Sequence, residues 1–279
     1  MKKRMLLVAG AAAIALSVLL LVAAPQAHGQ DALEATANFV APVVIQAAGP
    51  SVASIQGSVN EYRVALGDPN KDTDGPKNDG RREINWDGGG NNTTTAIGPN
   101  PLQNFLNTRG ALISTPDGAG FIQATPDGLA IQFNNPTYSA IFRTFSQFRL
   151  FAAIGGRITD VDFFRPGSGG NIPAVTKGFG VVLTDVDQPN GSGPGGKHGN
   201  RKASTLIEYY GVHGELLFSS FVPAAPGDGG QSFLGVVFPD ARIARVQITS
   251  GDVAPGPDDD RKLDVVVMDD FIYGEPVQP

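Results

Sequence analysis

DVVVMDDFIY, residues Asp264 to Tyr273, sets two adjacent carboxylates, Asp269 and Asp270, inside an otherwise apolar run of strand-forming residues. Val, Ile, Phe and Tyr fit a pleated, packed surface, so the run reads as a strand closing the chain. Two carboxylates there are unfavourable unless paired, hydrogen-bonded or bound to a cation, which makes them candidate metal ligands. Regular alternation sends Asp269 and Asp270 to opposite faces, so one of them is expected to coordinate directly.

Outward from this run, Gly and Pro punctuate short apolar segments throughout the chain, a pattern of strands and turns. Strands are expected at Gly120–Gln123, Leu129–Phe133, Ala140–Phe145, Phe148–Ala152, Ile158–Phe164 and Gly178–Thr184. Further ones are expected at Thr205–Tyr210, Glu215–Phe221, Ser232–Phe238, Arg242–Ser250 and Val265–Tyr273. This spacing predicts an all-β fold, an antiparallel β-sandwich of jelly-roll type over residues 104–279. Residues 30–103 read as a less regular N-terminal extension packing on the sandwich, with one or two strands in Phe39–Ile55 and a short helix over Val59–Leu66. The fragments Thr115-Pro-Asp-Gly118 and Thr125-Pro-Asp-Gly128 read as tandem hairpin turns.

Residues 1–29 have the order of a signal peptide: Lys2, Lys3 and Arg4, an apolar stretch from Met5 to Ala24, then Ala27-His28-Gly29. The stretch is nearly long enough to span a bilayer, so an uncleaved anchor is the alternative. Secretion to the extracellular space or periplasm is expected, with no membrane association after cleavage. The 279-residue chain carries 21 Lys+Arg, 27 Asp+Glu and a net charge of −6; losing the leader's three cations makes it −9. That balance disfavours nucleic acid as a partner and suits divalent cations or neutral ligands. With no Cys, there is neither a disulfide framework nor a thiol nucleophile.

Oxygen-rich clusters carry the candidate chemistry. In Arg81-Arg82-Glu83-Ile84-Asn85-Trp86-Asp87, strand alternation puts Glu83, Asn85 and Asp87 on one face. Together with Asp269 and Asp270 these residues form a candidate Ca²⁺ site. The plain alternative is that Glu83 or Asp87 pairs with Arg81 or Arg82 and that Trp86 is ordinary core. A second candidate is Asn70-x-Asp72-x-Asp74-Gly75, the opening half of a calcium loop whose closing Glu is replaced by Arg81. A solvated acidic loop is its alternative.

The segments GRREINWDGGG (Gly80 to Gly90), TDVD (Thr184 to Asp187) and VVVMDDFIYGEP (Val265 to Pro276) resemble a group of uncharacterised secreted bacterial proteins. More loosely, the block from Gly178 to Gly274 resembles calcium-binding jelly-roll domains of the carbohydrate-binding-module and galactose-binding type. The second resemblance implies a structural calcium fed by terminal strands, which Glu83, Asp87 and Asp269 or Asp270 would fit, and it assigns no sugar-contacting residue. A sugar platform would need exposed aromatics, for which Trp86 and a few Tyr are available.

Other chemistries find little support. Gly191 to His198 nearly spells a phosphate loop but ends in His198 where a hydroxyl belongs, so no nucleotide is expected. Neither His198 nor His213 sits in a nucleophile motif. Carboxylate pairs such as Glu83 or Asp87 with Asp269 keep a glycan-active hydrolase open, and a structural envelope protein is a third reading. The expectation is a secreted, non-catalytic, calcium-stabilised module that binds an extracellular glycan or another cell-surface component. Sequons at Asn91, Asn92 and Asn190 matter only in a glycosylating host.

Overall fold

The computed structural model describes residues 41–88, 92–187, 205–257 and 263–279. Residues 1–40, which include the expected signal peptide, the Gln188–Lys202 loop with His198 and Asn190, Asn91, and the acids 258–260 lie outside the described residues.

Two antiparallel sheets face each other. The larger has eight strands: β1 (Val43–Gly49), β2 (Arg81–Ile84), β3 (Ala96–Gly98), β5 (Gly120–Ala124), β6 (Leu150–Ile154), β8 (Gly178–Thr184), β11 (Gln231–Val237) and β13 (Val267–Gly274). Its order is β1-β11-β8-β13-β6-β5-β3, with β2 pairing on β13 beside this path. The smaller sheet has the order β10-β9-β12-β7-β4, from β4 (Ala111–Ser114), β7 (Ile158–Phe163), β9 (Leu206–Tyr210), β10 (Leu216–Phe221) and β12 (Arg245–Thr249). The expected β-sandwich is present, and nine of the eleven expected strands are found. Between the sheets lies a core in which Trp86, Phe151, Phe179 and Phe271 meet Val161, Ile207, Tyr209 and Ile248. Trp86 stacks on Phe151, with centroids 3.7 Å apart.

The segment before residue 104 supplies β1, β2 and β3 to the larger sheet and the helix α1 (Val52–Leu66). The helix begins well before the expected Val59, because Ile55 joins Val59, Tyr62 and Leu66 on one stripe. Gly67, at φ +100°, ends it and returns its N–H to the carbonyls of Arg63 and Val64. The stripe covers the outer face of β1, β11 and β8 through Ile45, Val182 and Phe233. Here Gly180 and Gly235 form the bed for the Tyr62 ring, since an added Cβ would stand 2.8 and 2.5 Å from it.

Leu129–Phe133 and Ala140–Phe145 are corrected. Residues 129–132 lie in α3 (Pro126–Gln132) and residues 140–141 in α4 (Tyr138–Ile141), while Phe133 and residues 142–145 belong to no strand; α2 (Leu106–Arg109) is the fourth helix among the described residues. Thr125 caps α3 by accepting the Gly128 N–H at 3.1 Å, and Pro126 occupies the first turn. Leu129, Phe133, Tyr138 and Phe142 then lie over Ile122, Ala124, Leu150 and Ala152, the other half of the larger sheet's outer face. Strands β8 and β13 are thus buried on both sides, which is why their sequences run apolar without alternating. The smaller sheet alternates buried and half-exposed residues, as in β9 and β12, so its outer face is open.

Candidate functional site

Three places bear on function: the acids of the closing strand, the loop before β2, and the open face of the smaller sheet. In β13, Met268 pairs with Leu183 and Phe271 with Val181, so Asp269 and Asp270 stand against Val182 alone. This β-bulge re-aims the pair. Strict alternation is lost, and the two carboxyl groups lie against each other on one side. The bulge sits where the neighbour of β13 changes from β6, at Met268, to β2, at Phe271.

Backbone and side-chain donors fill this seam. Asp269 accepts the Phe145 N–H at 2.6 Å and the Ser146 hydroxyl at 2.9 Å, while its carbonyl accepts the Trp86 Nε1–H at 2.8 Å. Burial and then the Asp270 carboxylate push the Asp269 carboxyl well above its ordinary range. Burial pushes Asp270 up to about 6, against the pull of the Arg63 guanidinium 3.4 Å away. Glu83 lies on the far side of Arg63 at 2.7 Å and also takes Arg81 at 2.6 Å. Burial alone would raise Glu83, yet these hydrogen bonds outweigh it and hold the carboxyl below its usual range.

The other two expected ligands turn elsewhere. Trp86 has φ +63°, and the alternation that runs through Asn85 and Trp86 breaks at the buried Asp87. Asp87 accepts the Phe148 and Arg149 N–H groups at 3.0 and 2.9 Å, and Asn85 accepts the Asp87 N–H. The structure therefore brings Glu83 and Asp270 together around Arg63, and Asp269 against Asp270. Asn85 and Asp87 instead order the neighbouring turn.

The loop before β2 wraps a guanidinium. Arg82, fully buried, donates to Glu275 at 2.6 and 2.9 Å and to the carbonyls of Lys71, Gly75 and Thr108, using all five of its N–H groups. Asn70 donates to Glu275, Asp72 accepts both nitrogens of the Arg109 fork at 2.6 and 2.9 Å, and Asp74 accepts the Lys71 N–H. Arg109 holds the Asp72 carboxyl below its usual range. In both acidic clusters an arginine stands among the oxygens that the sequence offers to a cation. Among the described residues, no group of three or more His, Asp and Glu is disposed to hold a metal ion.

The open sheet face is a feature that the sequence did not single out. Register aligns Asp162, Arg245, Tyr210 and Leu216 in one row and Asp160, Gln247, Glu208 and Ser219 in the next. Asp160 accepts Arg245 at 3.1 Å and Gln247 at 2.9 Å, and the Arg245 guanidinium lies 4.2 Å from the Tyr210 ring centre. Burial and then Asp160 raise the Asp162 carboxyl. Of the single Trp and five Tyr, Trp86, Tyr62, Tyr138, Tyr209 and Tyr273 are buried, leaving Tyr210 as the one that reaches the surface. The available signal was the partly polar alternation of Thr205–Tyr210 and Arg242–Ser250, two strands whose outward residues pair.

Among the described residues no helix is long and apolar enough to cross a membrane. Comparison with protein-family models, curated proteins and solved structures finds no match for the chain.

Proposed function

We propose that the protein is a secreted, non-catalytic β-sandwich of jelly-roll type that binds an extracellular glycan on the open face of its five-stranded sheet. One observation carries the reading: the larger sheet is covered by helices, while the smaller sheet presents Tyr210 among Glu208, Gln247, Arg245 and Asp160. A planar ring beside fixed donors and acceptors suits a sugar, whose apolar face stacks while its hydroxyls hydrogen-bond. The carboxylates that a hydrolase would need are committed to internal partners, with Asp87 and Asp269 only 5% and 0% exposed.

Titration with a panel of soluble polysaccharides tests this. Binding that falls about tenfold in Tyr210→Ala, as loss of one stacked ring implies, with unchanged melting, supports the reading. Absence of binding to every glycan overturns it, and turnover of the polysaccharide overturns its non-catalytic part.

Calcium is a separable element of the proposal. To be held by the expected oxygens, the ion has to displace Arg63 from Asp270 and Glu83, or Arg109 from Asp72. Melting in Ca²⁺ and in chelator decides it, and an unchanged Tm removes the metal.

A further inference from the structure

The groove between the 69–73 loop and β2 has a volume of about 390 Å³ and is lined by Lys71, Asp72, Arg81, Glu83 and Arg109 among others. We propose that it is a second binding site, which takes a single oxyanion group: a carboxylate, sulfate or phosphate. Unspent hydrogen-bonding capacity marks the groove, independently of any ligand on the open sheet face.

Both carboxylates in the groove are already paired. Glu83 Oε1 takes Arg81 Nε at 2.6 Å and Arg63 Nε at 3.2 Å, and Oε2 takes Arg63 Nη2 at 2.7 Å. Both oxygens of Asp72 are held by Arg109. Donor capacity is left over: Arg81 Nη2 and Lys71 Nζ make no hydrogen bond among the described residues. A group rich in acceptors suits these donors, and an oxyanion offers two or more oxygens in the geometry of a guanidinium edge.

Arg81 is also fixed before any ligand arrives. Its Nε is tied to Glu83, its Nη1 to the Gly67 carbonyl, and its side chain is only 15% exposed. A half-buried, immobile guanidinium loses little freedom on binding and acts through a lower dielectric than a surface one. Lys71, exposed at the groove wall, supplies the second charge. The chain's net charge of −6 opposes anions at long range, so capture here must come from these short contacts.

Thermal-shift and calorimetric titrations of the leaderless chain, at ionic strength held constant with chloride, test the site. Sodium sulfate, sodium phosphate and a galacturonic acid trimer are the probes. A saturable stabilisation absent in chloride is expected with at least one probe, weakened about tenfold in Lys71→Gln, as loss of one charge-assisted hydrogen bond implies. Lys71→Gln folds normally because the Lys71 ammonium is exposed and makes no hydrogen bond or ion pair among the described residues. Arg81→Lys, which keeps the charge but not the fork, also weakens binding. Tighter binding of the inorganic ions identifies a free anion as the occupant, and tighter binding of the trimer identifies an acidic polymer. A response no greater than that to chloride, or one that Lys71→Gln leaves unchanged, overturns the proposal.

Discussion

Replacing Glu275 by glutamine removes one charge of the most deeply buried ion pair described in the fold while keeping the side chain's size. Arg82 and Glu275 are 0% and 4% exposed, so the guanidinium left behind can neither reach water nor find another carboxylate at that position. Breaking such a pair from one side costs about 3–5 kcal/mol, most of it the uncompensated charge. For a domain of this size that amounts to a fall in Tm of roughly 6–20 °C. Asp240→Asn, beside Arg242 on a side chain 62% exposed, is the control and costs under about 1 kcal/mol. Urea unfolding followed by the fluorescence of Trp86, the chain's single Trp and buried against Phe151, measures both. If Glu275→Gln costs no more than Asp240→Asn, the loop is not organised around Arg82. The double replacement Arg82→Met with Glu275→Leu restores only part of the loss, because the carbonyls of Lys71, Gly75 and Thr108 forfeit their donor.

Asp270 keeps its proton to higher pH folded than unfolded, so stability falls as pH rises from the ordinary carboxylate value to about 6 and stays lower above. Asp270→Asn flattens this fall; urea midpoints between pH 4 and 7 with the wild-type slope would falsify the assignment. Gly235→Ala drives a methyl group into the Tyr62 ring at 2.5 Å and destabilises by about 1–3 kcal/mol in calorimetry. A Tm equal to that of wild type would mean that Tyr62 does not seat α1 on that bed. Thr125→Ala removes the cap of α3 and costs about 1 kcal/mol. Denaturation showing no change would count against that cap.

Layering was legible in the sequence wherever a strand's burial is regular. The unbroken apolar run of β8 and the alternation of β9 both read directly, since burial on two faces or on one leaves different periods. The repeated Thr-Pro-Asp-Gly shows where local reading stops. At 115–118 it is a bend leading into β5, and at 125–128 it opens α3. The same four residues begin both, and the residues downstream decide: Phe121 and Ile122 pair with β6, whereas Leu129 and Phe133 are spaced by four to cover it. The acids of the closing strand stand out as unusual in the sequence, but their partners do not. A bulge shifts the register of β13 against β8, and a left-handed Trp86 breaks the alternation after β2; neither is signalled by the local sequence. Arg63 and Arg82 carry no local sign that they enter those clusters.

Strand β2 pairs with Phe271 to Gly274, far along the chain, and the charge of Arg82 is met by Glu275. The middle of the larger sheet therefore closes only when the final residues of the chain arrive. During synthesis, everything upstream remains provisional until β13 emerges, a high-contact-order arrangement that slows folding. A chain stopped at Leu263 lacks the shared neighbour of β2, β6 and β8 and leaves a buried arginine unanswered. Such a truncated chain is expected to be protease-sensitive throughout, because three strands of the larger sheet lose the neighbour they share.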